Sequence, residues 1–163
     1  MSKDGEAPKA GGGEKNITTN RKAQHDYFFF ERCEAGIALR GTEVKSLRAG
    51  GVNLKDSYVE ARDGEMTLIG MHISPWETGN RFNHEPERPR KLLLHKREIL
   101  RLGLKAREKG LTIIPTRLYF KSGRVKVEIA LAKGKRSYDK REVIAGREAR
   151  REVARALKEA KRG

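Results

Sequence analysis

The chain has 163 residues, with 37 Lys and Arg against 22 Asp and Glu, which gives a formal net charge of +15. This length allows one modest domain with tails. No apolar run approaches the roughly 20 residues that span a bilayer, and we expect no signal peptide. Cys33 is the single cysteine, which excludes an intrachain disulfide and a zinc site built on several thiolates. We therefore expect a cytoplasmic protein with a polyanionic partner.

The N-terminal third of the chain predicts a disordered arm, two extended segments and a short helix. Residues 1–15 are rich in Gly, Pro, Lys and Glu, with three basic and three acidic side chains, which predicts the arm. The aromatic run Tyr27–Phe30 and the segment Glu34–Leu39 are compatible with strands. Thr42 is a plausible N-cap for a short helix over Glu43–Ala49.

The middle of the chain predicts a hairpin followed by a longer helix. Tyr58–Arg62 and Glu65–Ile73 flank Asp63-Gly64, which is a strong hairpin signal. After a loop, Leu92–Lys109 has a helical pattern, although Gly103 could divide it. Its predicted apolar positions are Ile99, Leu100, Leu102 and Leu104.

The last predicted elements form a second hairpin and complete a β-rich domain over residues 16–132. Leu111–Phe120 precedes a turn at Ser122-Gly123. The strand that follows alternates strictly, with Val125, Val127, Ile129 and Leu131 on one face. Many short antiparallel strands with a few small helices predict a mainly β fold, a closed or partly closed barrel of the oligonucleotide-binding kind.

Residues 133–163 predict a basic tail that binds something anionic. They hold twelve Lys and Arg against five Asp and Glu, with few large aliphatic side chains. Such a segment is expected to be loose when free and helical on a polyanion, for which nucleic acid is the first candidate. An anionic membrane fits less well because no Trp or Phe anchors the helix. The narrow helical stripe consists of Ala149, Val153, Ala156, Leu157 and Ala160.

The sequence contains no convincing catalytic or metal-binding constellation. The four histidines form no ligand motif, and Lys133–Ser137 lacks the Ser or Thr that follows the lysine of a phosphate-binding loop. His84 could serve as an acid or base in a nuclease, but a loop histidine with structural hydrogen bonds is the preferred interpretation. We expect no enzymatic activity, no cofactor and no metal.

A series of ordered segments carries a resemblance to a known family. They are Asn20–Ala23, Glu34–Ile37, Gly41–Arg48, His72–Pro75, Arg90–Lys96, Leu131–Lys135 and Tyr138–Arg141. Through them the chain resembles, over about residues 16–162, the small protein B family, which binds bacterial transfer-messenger RNA (tmRNA, or SsrA RNA). Trp76 departs from the tyrosine usual in the family.

The resemblance implies a six-stranded antiparallel barrel related to the oligonucleotide-binding fold, with about three short helices. It also implies a role in trans-translation, in which the protein binds the tRNA-like domain of tmRNA and delivers it to ribosomes stalled on messages without a stop codon. Elongation factor Tu with GTP and alanyl-tRNA synthetase would be indirect partners through tmRNA. The protein would be a ribosome-associated monomer with no membrane partner.

The resemblance also implies which residues contact tmRNA. Asn20, Glu34 and Leu93 match positions at the elbow of the tRNA-like domain. Asn20 can donate and accept hydrogen bonds, whereas an ionised Glu34 can only accept. Leu93 could pack against a splayed base, although its Leu92–Leu94 run would favour a core position from pattern alone. Candidates for phosphate contact are Arg21, Lys22, Lys45, Lys133 and Lys135.

For the tail, the resemblance implies contact with small-subunit rRNA. The residues matched to the decoding centre are Tyr138, Asp139, Lys140 and Arg141. A helix beyond them would lie in the empty message channel. The channel residues would be Arg147, Arg150, Arg151, Val153, Arg155, Leu157 and Lys158. The rival class is a basic ribosomal structural or RNA-chaperone protein, which composition does not exclude.

Overall fold

The chain forms a mainly β structure with three α-helices, in a computed structural model that describes residues 13–76 and 83–137. The helices are α1 (Arg21–Asp26), α2 (Gly41–Arg48) and α3 (Lys96–Lys109). The strands are β1 (Glu14–Thr19), β2 (Tyr27–Ile37), β3 (Val52–Asn53), β4 (Tyr58–Arg62), β5 (Glu65–Ile69), β6 (His72–Ile73), β7 (Arg90–Leu93), β8 (Thr112–Lys121) and β9 (Arg124–Gly134).

Six of these strands close into an antiparallel ring. Its order is β8–β4–β5–β7–β2–β9, and β9 pairs with β8 to complete it. The ring closes between β4 and β8 through Val59 opposite Ile113. β1 pairs with a different stretch of β8, from Arg117 to Lys121, and so lies outside the ring. β3 and β6 form a separate two-stranded sheet. The predicted mainly β class is confirmed.

Alternation along β9 places an apolar row inside the ring. Val127, Ile129 and Leu131 are buried there, while Lys126 and Glu128, which precede the first two, are partly exposed. Further along the outer row, Ala132 is buried in a second apolar cluster with Ala23 of α1.

The two predicted hairpins are confirmed, but the second strand of the first hairpin ends at Ile69 rather than Ile73, because Gly70 turns the chain with a φ of 87° and His72–Ile73 pair with β3. Both turns have positive φ at their central residues, 52° and 76° at Asp63-Gly64 and 52° and 77° at Ser122-Gly123, as a two-residue hairpin turn requires.

The helix predicted over Leu92–Lys109 begins later than expected. Leu92 and Leu93 belong to β7, because they pair with Ile37 and Gly36 of β2. α3 starts at Lys96, and Glu98 accepts a hydrogen bond from the His95 backbone, as in a capping box. The helix then continues through Gly103 without a break.

Two predicted apolar positions of α3 face solvent rather than the core. Ile99 and Leu102 are buried against the ring, whereas Leu100 and Leu104 are 58% and 51% exposed. A helix of this length buries one stripe, and both exposed leucines lie outside the stripe that Ile99 and Leu102 define.

The short helix α2 also begins earlier than predicted, with Arg40 rather than Thr42 at its N-cap. The Thr42 hydroxyl is instead 3.0 Å from His84 Nδ1. Glu43 takes the third helical position, and its carboxylate accepts a hydrogen bond from the Arg40 backbone at 2.8 Å. This carboxylate is fully buried, which the sequence pattern did not predict.

Glu43 is the centre of a buried ion-pair network that joins α2 to β7. Arg90, also fully buried, donates from Nε to Glu43 Oε2 at 2.7 Å, and its Nη2 lies 2.6 Å from the same oxygen in an ion pair. Arg88 donates to Oε1 at 2.6 Å. Burial opposes ionisation of Glu43, but the hydrogen bonds from Arg88, the Arg40 backbone and Arg90 outweigh it and lower its pKa. Since Arg90 begins β7, this network fixes the strand that carries Leu93.

The ends of the predicted domain shift by a few residues. β1 begins at Glu14, inside the predicted arm, and β9 continues to Gly134, inside the predicted tail. A single 3₁₀ turn over Lys135–Ser137 follows β9. Within the described ranges no helix is long and apolar enough to cross a membrane.

Candidate nucleic-acid interface

Glu34 and Leu93 lie on the outer face of the ring, where four neighbouring strands bring polar and apolar groups together. Glu34 of β2 is opposite Glu128 of β9, which is opposite Arg117 of β8. Two residues further along β2, Gly36 is opposite Leu93 of β7. Because alternate residues of a strand share a face, Glu34 and Leu93 occupy the same surface.

Glu34 is an ionised acceptor with one oxygen in reserve. Its Oε2 accepts hydrogen bonds from the Tyr119 hydroxyl at 2.5 Å and from Lys121 Nζ at 3.3 Å. Burial opposes its ionisation, but these two hydrogen bonds prevail and lower its pKa. Its Oε1 has no hydrogen-bond partner among residues 13–76 and 83–137. Glu34 can therefore accept a further proton donor while remaining charged.

The support of Glu34 comes from residues that sequence reasoning missed. Tyr119 is buried, and Arg117 lies over its ring at 4.0 Å from the centroid. Burial, and then the bond to Glu34, raise the Tyr119 pKa, which keeps its hydroxyl protonated as a donor. Because Tyr119 and Lys121 lie 85 and 87 residues from Glu34 along the chain, no local motif could reveal them.

Leu93 is an exposed apolar side chain beside a glycine. It is 53% exposed, whereas Leu92 next to it is buried. The core position that pattern alone favoured for Leu93 is therefore wrong. A Cβ added at Gly36 would lie 3.2 Å from Leu93 Cβ, so the missing side chain of Gly36 leaves room for Leu93 on this face.

Asn20 is buried, and its polar atoms are already used. It is 4% exposed and caps α1, with Oδ1 accepting from the Ala23 backbone at 3.1 Å. Its Nδ2 donates to the backbone oxygens of Pro115 at 2.9 Å and Leu54 at 3.4 Å. A direct hydrogen bond to RNA, the role first expected for Asn20, would have to reach a side chain that is almost fully buried. The geometry supports a positioning role between β1, α1 and β8.

Arg21 and Lys22, which follow Asn20, are exposed on α1. Lys22 Nζ donates to Asp56 Oδ1 at 2.6 Å, and this contact raises the Lys22 pKa. Arg21 makes no ion pair with any described residue. A concave surface of about 630 Å³ lies beside them, between α1 and the chain that follows β3. Lys55 adds a third cation to its lining, so the surface suits a phosphate group.

The remaining phosphate candidates fall at two different ends of the ring. Lys133 pairs with Phe28 at the end of β9, and Lys135 Nζ lies 5.2 Å from the centroid of the Phe28 ring. Lys135 also donates to the Gln24 carbonyl of α1 at 3.5 Å. Lys45 is exposed on α2, whose Arg48 lies over Phe120 near the opposite end of β8. The structure therefore groups Lys133 and Lys135 with α1, and separates Lys45 from them.

His84 is held by two hydrogen bonds, as preferred from the sequence. It is buried, with Nδ1 3.0 Å from the Thr42 hydroxyl and Nε2 2.8 Å from the Ile73 carbonyl. Both ring nitrogens are thus occupied. Within the two described ranges no group of three His, Cys, Asp or Glu side chains could hold a metal ion.

The predicted decoding-centre and channel residues lie outside the described part of the chain. They are Tyr138, Asp139, Lys140, Arg141, Arg147, Arg150, Arg151, Val153, Arg155, Leu157 and Lys158. Their assignments stay predictions.

Comparisons with known proteins agree on one family. The family model described as SmpB protein matches residues 17–159. The chain is 65% identical to the SsrA-binding protein of Desulforudis audaxviator over 145 residues, covering 89% of this chain and 95% of the relative. It is 63% identical to the SsrA-binding protein of Carboxydothermus hydrogenoformans, covering 89% of this chain and 97% of that relative.

A solved structure described as "tmRNA-SmpB: a journey to the center of the bacterial ribosome" is 50% identical, with a TM-score of 0.65. The match covers 77% of this chain and 88% of that one. With a family model over most of the chain and relatives above 60% identity, the chain belongs to the SmpB protein family.

Proposed function

We propose that the chain binds tmRNA and acts in trans-translation on stalled ribosomes. The observation that carries this proposal is Glu34, an ionised carboxylate with a spare oxygen on the same outer face as the exposed Leu93. Relatives at 54–65% identity are named SsrA-binding proteins. The description of the similar solved structure joins tmRNA, SmpB and the ribosome.

Each group on this face has a chemical role that fits unpaired RNA. An acceptor-only carboxylate repels phosphate but can take an amino or imino proton from a base edge. Leu93 offers an apolar surface to a base that leaves its stack, as in the splayed loops that proteins read in RNA. This pairing of groups fits the elbow of a tRNA-like domain better than a regular duplex.

The cations beside α1 would hold the RNA backbone. Arg21 and Lys22 would contact phosphate, together with Lys133 and Lys135 at the neighbouring end of β9. Asn20 would act by fixing the position of α1 rather than by touching the RNA. In this proposal the six-stranded ring is a small barrel of the oligonucleotide-binding kind. The outer face that carries Glu34 and Leu93 would bind the RNA.

The tail would carry the ribosomal half of the function. Tyr138 and the basic residues beyond it would bind small-subunit rRNA at the decoding centre and in the empty message channel. Arg and Lys would neutralise the phosphates that line the channel. The small side chains of an Ala-rich stripe would keep the helix thin enough for a narrow channel. Elongation factor Tu with GTP and alanyl-tRNA synthetase would act on the tmRNA that the ring holds.

The test compares two activities on matched variants. Gel shifts with the isolated tRNA-like domain measure RNA binding, and peptide tagging on stalled ribosomes measures the complete reaction. Truncation after Ser137, which leaves β9 and its 3₁₀ turn intact, should preserve most tmRNA affinity and abolish tagging. Loss of both activities, or of neither, would contradict the division between ring and tail.

The rival class is tested by co-purification. A basic ribosomal structural protein stays on all ribosomes, whereas a tmRNA-binding protein enriches with tmRNA and with stalled complexes. Sequencing the RNA bound to the full chain in cells separates them. Equal recovery of tmRNA and of unrelated RNAs would contradict the proposed function.

A further inference from the structure

The groove between α3 and β4 combines exposed apolar side chains with charged ones, and the proposed RNA-binding face does not use it. It has a volume of about 430 Å³ and is open to solvent along the exposed side of α3. Leu100 and Leu104, one helical turn apart, form one wall, and Tyr58, 41% exposed, lies at the other. Exposed leucines at this spacing on a helix present a continuous ridge. Leu93, by contrast, lies on β7 at the outer face of the ring.

Cations bracket this ridge and form no ion pair within the described part of the chain. Lys96 lies one turn before Leu100, and Arg107 lies three residues after Leu104. Arg97 is exposed beside the same ridge. None of these three cations makes an ion pair with residues 13–76 or 83–137. Arg101 and Lys105 of the same helix differ from these three cations, because both form ion pairs with Glu31 of β2.

The opposite wall of the groove carries one net negative charge. β4 contributes Glu60 and Arg62, and the turn that follows β4 contributes Asp63. The positive potential is therefore concentrated on the α3 side. A complementary partner would place its negative charges along α3 and its apolar side chains in the groove.

The basic stripe of the tail and residues 1–12 fit this surface poorly. In the tail, Val153 and Leu157 are flanked by Arg150, Arg151, Arg155 and Lys158, which would meet the cations of α3. Residues 1–12 contain no large aliphatic or aromatic side chain beyond Met1. A second copy would bring the same cations against each other.

We propose that the α3–β4 groove binds an amphipathic helix of a protein partner, with acidic residues flanking its apolar stripe. Helices of this kind fill hydrophobic grooves through side chains at i, i+3 or i+4 and i+7 positions. The apolar centre with a charged rim is the usual anatomy of a protein interface. RNA fits less well, because the carboxylates of Glu60 and Asp63 on the opposite wall would repel its phosphates.

The direct test uses a synthetic helical peptide with the full-length protein. The peptide carries Leu at i, i+3, i+4 and i+7 with Glu on both flanks, and its control has the same composition in scrambled order. Fluorescence anisotropy should show binding at least about tenfold tighter than the scrambled peptide. Equal affinity for the two peptides would overturn the proposal.

Matched variants locate the binding. The double variant Leu100→Ser with Leu104→Ser, and separately Arg97→Glu with Arg107→Glu, should each weaken peptide binding at least about tenfold. Leu93→Ser removes an equally exposed leucine outside the groove and should leave peptide binding unchanged. Thermal melts verify the fold of each variant. Peptide binding that survives both double variants, or that Leu93→Ser abolishes, would place the contact elsewhere and overturn the proposal.

The partner itself is tested by crosslinking in cells. A photoreactive phenylalanine at position 104 of the full chain should crosslink to a protein segment with acidic flanks and an amphipathic helical pattern. The same group at position 93 is the comparison. A crosslink from position 104 to RNA, to the tail of the chain or to a second copy would overturn the proposal, and so would no crosslink at all. Because tmRNA binding is measured separately, failure here leaves the proposed function untouched.

Discussion

Two glutamates in this protein have similar electrostatics and opposite accessibility. Glu34 on the outer face and Glu43 inside the network of α2 and β7 are both held ionised by hydrogen bonds that prevail over burial. Glu43 uses both oxygens, accepting from Arg88 and the Arg40 backbone at Oε1 and from Arg90 at Oε2. Among the described residues, Glu34 accepts hydrogen bonds only at Oε2.

The difference teaches how to separate a structural carboxylate from a binding one. A lowered pKa alone marks both residues and therefore does not distinguish them. What distinguishes them is acceptor capacity that the chain leaves unused at an accessible position. By this criterion Glu43 stabilises the fold, and Glu34 is available for a ligand.

The largest expected effect is on stability at the buried network. Glu43→Gln leaves Arg90 charged and fully buried without its counter-ion, so the free energy of unfolding should fall by about 3–5 kcal/mol. Urea unfolding followed by circular dichroism measures it. Glu60→Gln, a change to an exposed carboxylate of β4, is the matched control and should have almost no effect. A loss below about 1 kcal/mol for Glu43→Gln would mean that the network is not a stabilising contact.

The next effect is on RNA binding at Glu34. Glu34→Gln keeps the size of the side chain and removes the charge, so binding to the tRNA-like domain should weaken by about 1.5–3 kcal/mol, the usual contribution of a hydrogen bond to a charged group. Gel shifts or anisotropy measure it, and Glu60→Gln is again the control. Unchanged affinity in the folded variant would show that the spare oxygen is not a contact.

A third effect separates Asn20 from Glu34. Asn20→Ala should lower the free energy of unfolding by about 1–2 kcal/mol, because it removes a helix cap and leaves buried backbone groups unpaired. Asn20→Ala should also weaken RNA binding, because α1 is no longer held in position. Asn20→Asp, which retains the oxygen that caps α1, should recover part of this loss of affinity. If Asn20→Ala weakens RNA binding with no change in stability, Asn20 contacts the RNA directly.

The sequence predicts some parts of this fold and misses others. The hairpins at Asp63-Gly64 and Ser122-Gly123 were predictable because turn chemistry is local. The short Leu92–Leu94 run does not distinguish strand from helix, so the exposure of Leu93 depended on a pairing with β2 that pattern does not reveal.

The roles of Asn20 and Glu43 depended on distant partners. Asn20 reaches Pro115, 95 residues away, and Glu43 reaches Arg90, 47 residues away. α1 itself was missed because its six residues contain one buried apolar side chain, Ala23, which gives no periodic signal. Family resemblance identified the candidate positions, but only the contacts show which ones can touch a ligand.

A smaller effect is expected at Leu93. Leu93→Ala removes apolar surface from a side chain that is already half exposed, so the fold should lose little stability. Packing against a base would bury the exposed part, and at about 25 cal/mol per Å² its loss should weaken RNA binding by roughly 1 kcal/mol. Leu104→Ala, an equally exposed leucine on α3, is the control and should leave RNA affinity unchanged. Equal losses in both variants would mean that the RNA surface extends to α3.

The smallest effect is the acid dependence of stability at Glu34. A carboxylate whose pKa is lowered by folding contributes stability above its ordinary pKa of 4.5 and loses it as the pH falls through the lower folded value. The difference in unfolding free energy between the wild type and Glu34→Gln should therefore stay constant from pH 7 to about 5 and shrink at lower pH. Because Glu34 is 38% exposed, the contribution should be small throughout. Urea titrations across this range measure it. A difference that instead grows on acidification would mean that folding raises the pKa of Glu34, so that burial prevails over the bonds from Tyr119 and Lys121 and the contrast with Glu43 fails.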